Sequence, residues 1–163
     1  MLDLYHWEPN AESLKLIIAL KEKGVPFQSR YVDLLGLEHH GDAFKSVADG
    51  ARVPMLVDGP DAFKDSQLTL EYLAEAYEPR LAPADPTGWY DVQAWTAQLD
   101  QALAANVRLL GWHTVTLPAM SDAQRQAFLD RSSKLPQPQA LASWSSEASA
   151  SLVTCAQPAA ACG

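Results

Sequence analysis

The first eighty positions switch repeatedly between short β-prone runs and longer stretches with apolar residues at helical spacing. Leu2 to Trp7 is short and strand-like. In Asn10 to Gly24, Leu14, Ile17, Ile18 and Leu20 recur at helical spacing, and Gly24 stands where a helix would stop. Phe27 to Asp33 predicts a second strand, and a weakly helical piece covers His40 to Val47. Val53 to Val57 is a third strand-like run and Asp58-Gly59-Pro60 a turn. Ala62 to Lys64 follows as a very short return strand, and Ser66 to Tyr77 as a helix carrying Leu68, Leu70, Tyr72, Leu73 and Ala76. The order is β-α-β-α-β-β-α. Parallel strands joined through helices, then an antiparallel hairpin and a closing helix, predict a three-layer α/β unit that buries a core in about 80 residues.

Pro79, Pro83, Asp85, Pro86 and Gly88 predict a break after this unit, because closely spaced prolines cannot continue a helix. The pattern then becomes all-helical. Trp89 to about Gly111 carries Val92, Trp95, Leu99, Leu103 and Val107 on one stripe, and Asp122 to Arg131 follows Ser121 as a capping residue. The expected division is 1–80 for the α/β domain and 88–131 for a partial helical domain, with 132–163 as a low-charge Ser/Ala-rich tail that is not natively folded. That tail holds only Lys134 and Glu147 as charges, with seven serines and eight alanines. Its composition fits a flexible tail. It fits equally a reading frame lost near residue 140, and the second reading is preferred, since a helical domain that opens with two helices needs more to cover its faces.

Composition narrows the function. With a net charge of -8 and no Lys/Arg stripe, a nucleic-acid partner is not expected. No apolar run is long enough to span a bilayer and the N-terminus lacks a signal-peptide pattern, so a cytoplasmic protein is the expectation. Cys155 and Cys162 both fall in the last nine residues, which leaves no cysteine redox pair or cysteine metal site for the folded part.

Leu4-Tyr5, Pro9, Ser13-Leu14-Lys15, Lys23 to Phe27, Val53-Pro54, Asp65-Ser66 and Glu71-Tyr72-Leu73 together resemble the ordered landmarks of a glutathione S-transferase N-terminal domain, over residues 2 to 78. Glu8 to Lys15 with His39-His40 is similar to the bacterial β-etherases that cleave lignin-derived aryl ethers with glutathione. The resemblance implies a thioredoxin-like fold, glutathione as cosubstrate without a metal, and a small hydrophobic or aromatic electrophile as the second substrate. A homodimer stays open.

Asn10 to Ser13 feeds the first helix, whose N-terminal N–H groups favour an anion such as a thiolate. Lowering the glutathione thiol by two units from about 8.5 takes about 2.7 kcal/mol, and a donated hydroxyl with a helix terminus supplies that order. The resemblance names Ser13 as that hydroxyl; on the residues alone, Ser13 or Asn10 is equally a helix cap. Glu12 stands where related bacterial enzymes have a cysteine, which argues against a mixed-disulfide role. Tyr5, inside the strand, is read as packed core.

By the same resemblance Val53-Pro54 is a cis bond that lets the Val53 backbone pair with the cysteinyl part of glutathione, and Asp65-Ser66 holds its γ-glutamyl end. His40 donates to the glycyl carboxylate, with His39 less favoured, and Arg52 is an extra carboxylate partner in a loop where Ala48 to Arg52 replaces the usual Asn-Pro. Trp7, Trp112 and His113 are expected to offer aromatic surface to the electrophile between the domains, while Trp89 and Trp95 are expected to pack. The expected activity is attack of glutathione thiolate on an aryl ether; the alternatives are a glutathione-binding module without turnover and an inactive truncated transferase.

Overall fold

The computed structural model describes residues 1–8, 10–47, 52–99, 101, 107, 110, 111, 114–116 and 118–134, and the backbone alone at 112, 113 and 117. The expectations for 135–163, the lost reading frame included, lie outside the described residues. The elements are β1 (Leu2–His6), α1 (Ala11–Glu22), β2 (Phe27–Tyr31), a 3-10 turn (Glu38–His40), α2 (Asp42–Lys45), β3 (Met55–Asp58), β4 (Asp61–Phe63) and α3 (Ser66–Ala76). After these come α4 (Pro86–Leu99), a π-helical turn (Trp112–Thr116), α5 (Leu117–Ala119) and α6 (Asp122–Ser132). The β-α-β-α-β-β-α order predicted from patterning is the order observed.

Four strands form one sheet in the order β2-β1-β3-β4, with β1 parallel to β2 and antiparallel to β3, and β3 antiparallel to β4. Alternation along the strands divides the apolar side chains between two faces. Leu2, Leu4 and Leu56 pack with Leu16 and Leu20 of α1 and Leu73 of α3 on one face. Met55 goes to the other, with Trp7, Val32, Leu34, Phe44 of α2, Met120, and Phe128 of α6. Tyr5 is partly buried there, its ring edge-on to Phe44 with centroids 5.7 Å apart, in agreement with its reading as a packed residue.

The helix faces differ in detail from the pattern. Ser13, Leu16 and Leu20 form the buried stripe of α1, whereas Leu14 and Ile18, expected inside, are 42% and 58% exposed. Lys23, just past α1, is buried and its Nζ donates to the Pro79 carbonyl at 2.6 Å, tying the end of α1 to the chain beyond α3. Asp58, at the end of β3, accepts from the Tyr72 hydroxyl at 2.6 Å and from the Tyr77 hydroxyl, so the hairpin is fastened to α3.

The expected break is shorter than predicted. Pro86 opens α4 instead of preceding it, as suits a residue whose missing N–H falls where helices leave donors unpaired. The Asp85 carboxylate accepts from Gly88 N–H at 2.7 Å and caps that end. Val92, Trp95, Leu99 and Val107 are exposed, Trp95 to 66%, although Val92 also faces a cleft that Leu70 and Leu73 of α3 line with it. Trp95 is therefore not a packing residue here. The Ser121 cap of α6 is observed as a capping box with Gln124.

Candidate functional site

Sheet register brings three landmarks together. Tyr5 pairs with Met55, so the start of β3 lies beside the end of β1, where the chain leaves for α1. Val53-Pro54 immediately precedes that point, and its peptide bond is cis as expected. The third landmark, the start of α3, is joined to the start of α1 by a hydrogen bond from the Ser66 hydroxyl to the Glu12 carboxylate. Two helix N-termini and a cis-proline turn thus share one end of the sheet.

At α1 the residue closing the first turn is Asn10. It is extended (φ -144, ψ 119) and its Oδ1 accepts from Ser13 N–H at 2.9 Å. Ser13 is different from the expectation. Its exposure is 0%, and its Oγ accepts from the Trp7 backbone N–H at 3.3 Å. The hydroxyl faces the interior because Ser13 lies on the same helical face as Leu16 and Leu20, three and seven positions on. It fastens the strand exit to the helix, and a ligand atom could not touch it without displacing its cover.

At α3, Asp65 is the N-cap, its Oδ1 accepting from Gln67 and Leu68 N–H, both at 2.9 Å. Ser66 is half-buried in the first turn. Glu12, which accepts from its hydroxyl, also pairs with Lys15 Nζ at 2.7 Å. This contact between α1 and α3 could not be seen from local patterning.

The remaining candidates are distributed more widely. Val53 is half-buried against the Trp7 cluster, Pro54 is buried and Arg52 is exposed. His39 is buried and His40 half-buried, with ring centroids 4.1 Å apart. Burial, reinforced by the neighbouring His40, lowers the His39 pKa to about 4. His40 is also lowered, by burial first and then by Lys45. His40 is thus neutral near pH 7, able to offer one N–H donor rather than a positive charge.

Trp7 does not offer a ring to a substrate: it is 5% exposed within the core with Met55, Met120 and Phe128. The sequence placed it at the strand exit, but the packing of α6 over that exit is a long-range contact. The side chains of Trp112 and His113 lie outside the described residues. Among the described residues no His/Cys/Asp/Glu group could hold a metal, and no helix is long and apolar enough to cross a membrane.

This geometry is that of a known domain class: residues 12–76 match the family model "Glutathione S-transferase, N-terminal domain", and the chain carries such a domain. Among curated proteins, it is similar to protein LigF of Sphingobium sp. (strain NBRC 103272 / SYK-6), 30% identical over 144 residues, covering 85% of this chain and 56% of LigF. It is also similar to maleylpyruvate isomerase of Ralstonia sp, 38% identical over 97 residues, 59% of this chain and 46% of that protein. Among solved structures, β-etherase LigF from the same organism superposes with a TM-score of 0.71 at 31% identity, over 88% of this chain and 60% of that one. Human glutathione S-transferase T1-1 in its apo form gives 0.65 at 27% identity, over 80% and 57%. The chain spans about half the length of the curated relatives it matches.

Proposed function

We propose that this chain binds glutathione across the sheet end defined by α1, the Val53-Pro54 turn and α3, and presents its sulfur as a thiolate to an electrophilic carbon. The observation that carries this reading is the convergence of the two helix N-termini and the cis-proline turn within a glutathione S-transferase N-terminal domain. The thiolate lies at the N-terminus of α1, favoured by the helix dipole. Asn10 supplies the donor through its carboxamide nitrogen, which no hydrogen bond among the described residues engages. Ser13, named from the sequence for that task, instead holds the turn in place from beneath.

The Val53 backbone pairs with the cysteinyl unit, and Ser66 with the first turn of α3 takes the γ-glutamyl carboxylate. Asp65 shapes that turn as its cap. His40 and Arg52 receive the glycyl end. The likeness to LigF, whose solved structure is titled a β-etherase, favours an aryl ether as the electrophile. The sulfur forms a C–S bond, the adjacent C–O bond breaks with its electron pair, and the phenolate leaves and takes a proton from water. Residues 112 and 113 belong to the proposed electrophile side; Trp7 does not.

The test is incubation of the full chain with glutathione and a β-aryl ether that releases a fluorescent phenol. Phenol release that depends on both chain and glutathione supports turnover. Glutathione binding without release supports the binding-module alternative.

A further inference from the structure

Glu12 is the one acidic residue in the first turn of α1, where the helix dipole favours it, and an ion pair with Lys15 three residues on would be ordinary. Its additional hydrogen bond to Ser66 is not explained by either effect, since Ser66 belongs to another helix fifty-four residues away in sequence. The Asp65 side chain already satisfies Gln67 and Leu68 N–H, so the Ser66 hydroxyl is the donor by which this turn would reach a ligand carboxylate. That donor is occupied by a carboxylate of the chain itself.

A second carboxylate brought to Ser66 meets the negative charge of Glu12, and Lys15 neutralises only one of the two. An α-amino acid head resolves this, because its ammonium is carried on the same carbon as its carboxylate. We infer that Glu12 is a specificity-determining residue that binds the α-ammonium of the γ-glutamyl unit while Ser66 turns to the α-carboxylate. Glu12, Lys15, the carboxylate and the ammonium then alternate in sign, and the exposed carboxylate of Asp65, next to Ser66, adds a further negative charge that favours the ammonium. Glu12 and Lys15 are each about two-thirds covered, with side-chain exposures of 35% and 31%, so the arrangement is partly shielded from water. The site accepts a zwitterionic head and rejects a simple acid of the same length. This inference rests on the glutathione reading and adds to it the residue that selects the amino end.

The experiment is binding calorimetry on the full chain with two probes: glutathione, and its des-amino analogue glutaryl-cysteinyl-glycine, which lacks only the ammonium. Wild type should bind glutathione about tenfold or more tighter than the analogue. Glu12→Gln should weaken glutathione about tenfold and leave the analogue unchanged or tighter, closing the gap, while Glu12→Asp should retain part of the preference. Circular dichroism confirms that each variant is folded. A Glu12→Gln chain that keeps the wild-type preference, or tightens both probes equally, overturns the inference while leaving the glutathione site standing. A folded wild type that binds neither probe overturns both.

Discussion

Replacing Ser13 by alanine separates a supporting role from a chemical one. The hydroxyl oxygen is fully buried and accepts the Trp7 backbone N–H at 3.3 Å, so its removal takes a hydrogen bond from a buried donor. Such a loss costs about 1–3 kcal/mol, and the length of the bond places Ser13→Ala toward the lower part of that range. With a urea dependence of about 1–3 kcal/mol per molar, the unfolding midpoint should fall by roughly half to one molar at unchanged slope. Trp7 sits beside the lost bond, which makes tryptophan emission a direct probe of the transition, and the ultraviolet absorbance of bound thiolate then reports the sulfur. Ser13→Ala should leave the pKa of bound glutathione within about 0.3 units of wild type, whereas Asn10→Ala should raise it by about one unit, equivalent to about 1.4 kcal/mol. A Ser13→Ala protein as stable as wild type, with the thiol pKa raised and Asn10→Ala without effect, would refute this assignment and restore the hydroxyl as thiol donor.

Two further outcomes follow from the packing. Phe128 is buried with Trp7 and Met55, so Phe128→Ala should destabilise the fold by about 3–5 kcal/mol and increase quenching of tryptophan emission by iodide; an unchanged midpoint would mean that α6 does not dock there. The second concerns pH. His39 titrates at about 4 in the folded chain against an ordinary 6.5, so the unfolded state binds the proton first as pH falls through that window. Stability is therefore full above about 6.5 and declines toward 4, by about 2 kcal/mol at about pH 5. Urea midpoints that show a smaller loss in His39→Gln than in wild type between these pH values would agree, and equal losses would not.

Local chemistry in the sequence carried the element order, the Ser121 cap and the turn at Asp58-Gly59, because each depends on residues a few positions apart. The cis Val53-Pro54 bond was accessible only through family resemblance, since bare X-Pro statistics favour trans. Ser13 was named through the resemblance, and the spacing of Leu14, Ile17, Ile18 and Leu20 did not show that its hydroxyl faces inward. Beginning instead from Leu16 and Leu20 and stepping back by helical spacing leads to Ser13 and turns it inward. The burial of Trp7 beneath α6 and the link between Glu12 and Ser66 join elements far apart in the chain, and no local period encodes them. Pro86 illustrates the same limit at short range: proline breaks a helix interior but opens a helix readily, and the pattern did not decide between the two.

The most direct test of the glutathione site is the thermal midpoint of the full chain titrated with glutathione, for wild type and Ser66→Ala. At one hundred times its dissociation constant, a ligand that binds only the folded state adds about 2.7 kcal/mol, a rise of several degrees. The account predicts such a rise in wild type and a clearly smaller one in Ser66→Ala at equal ligand concentration. A folded chain whose midpoint is indifferent to millimolar glutathione would contradict it.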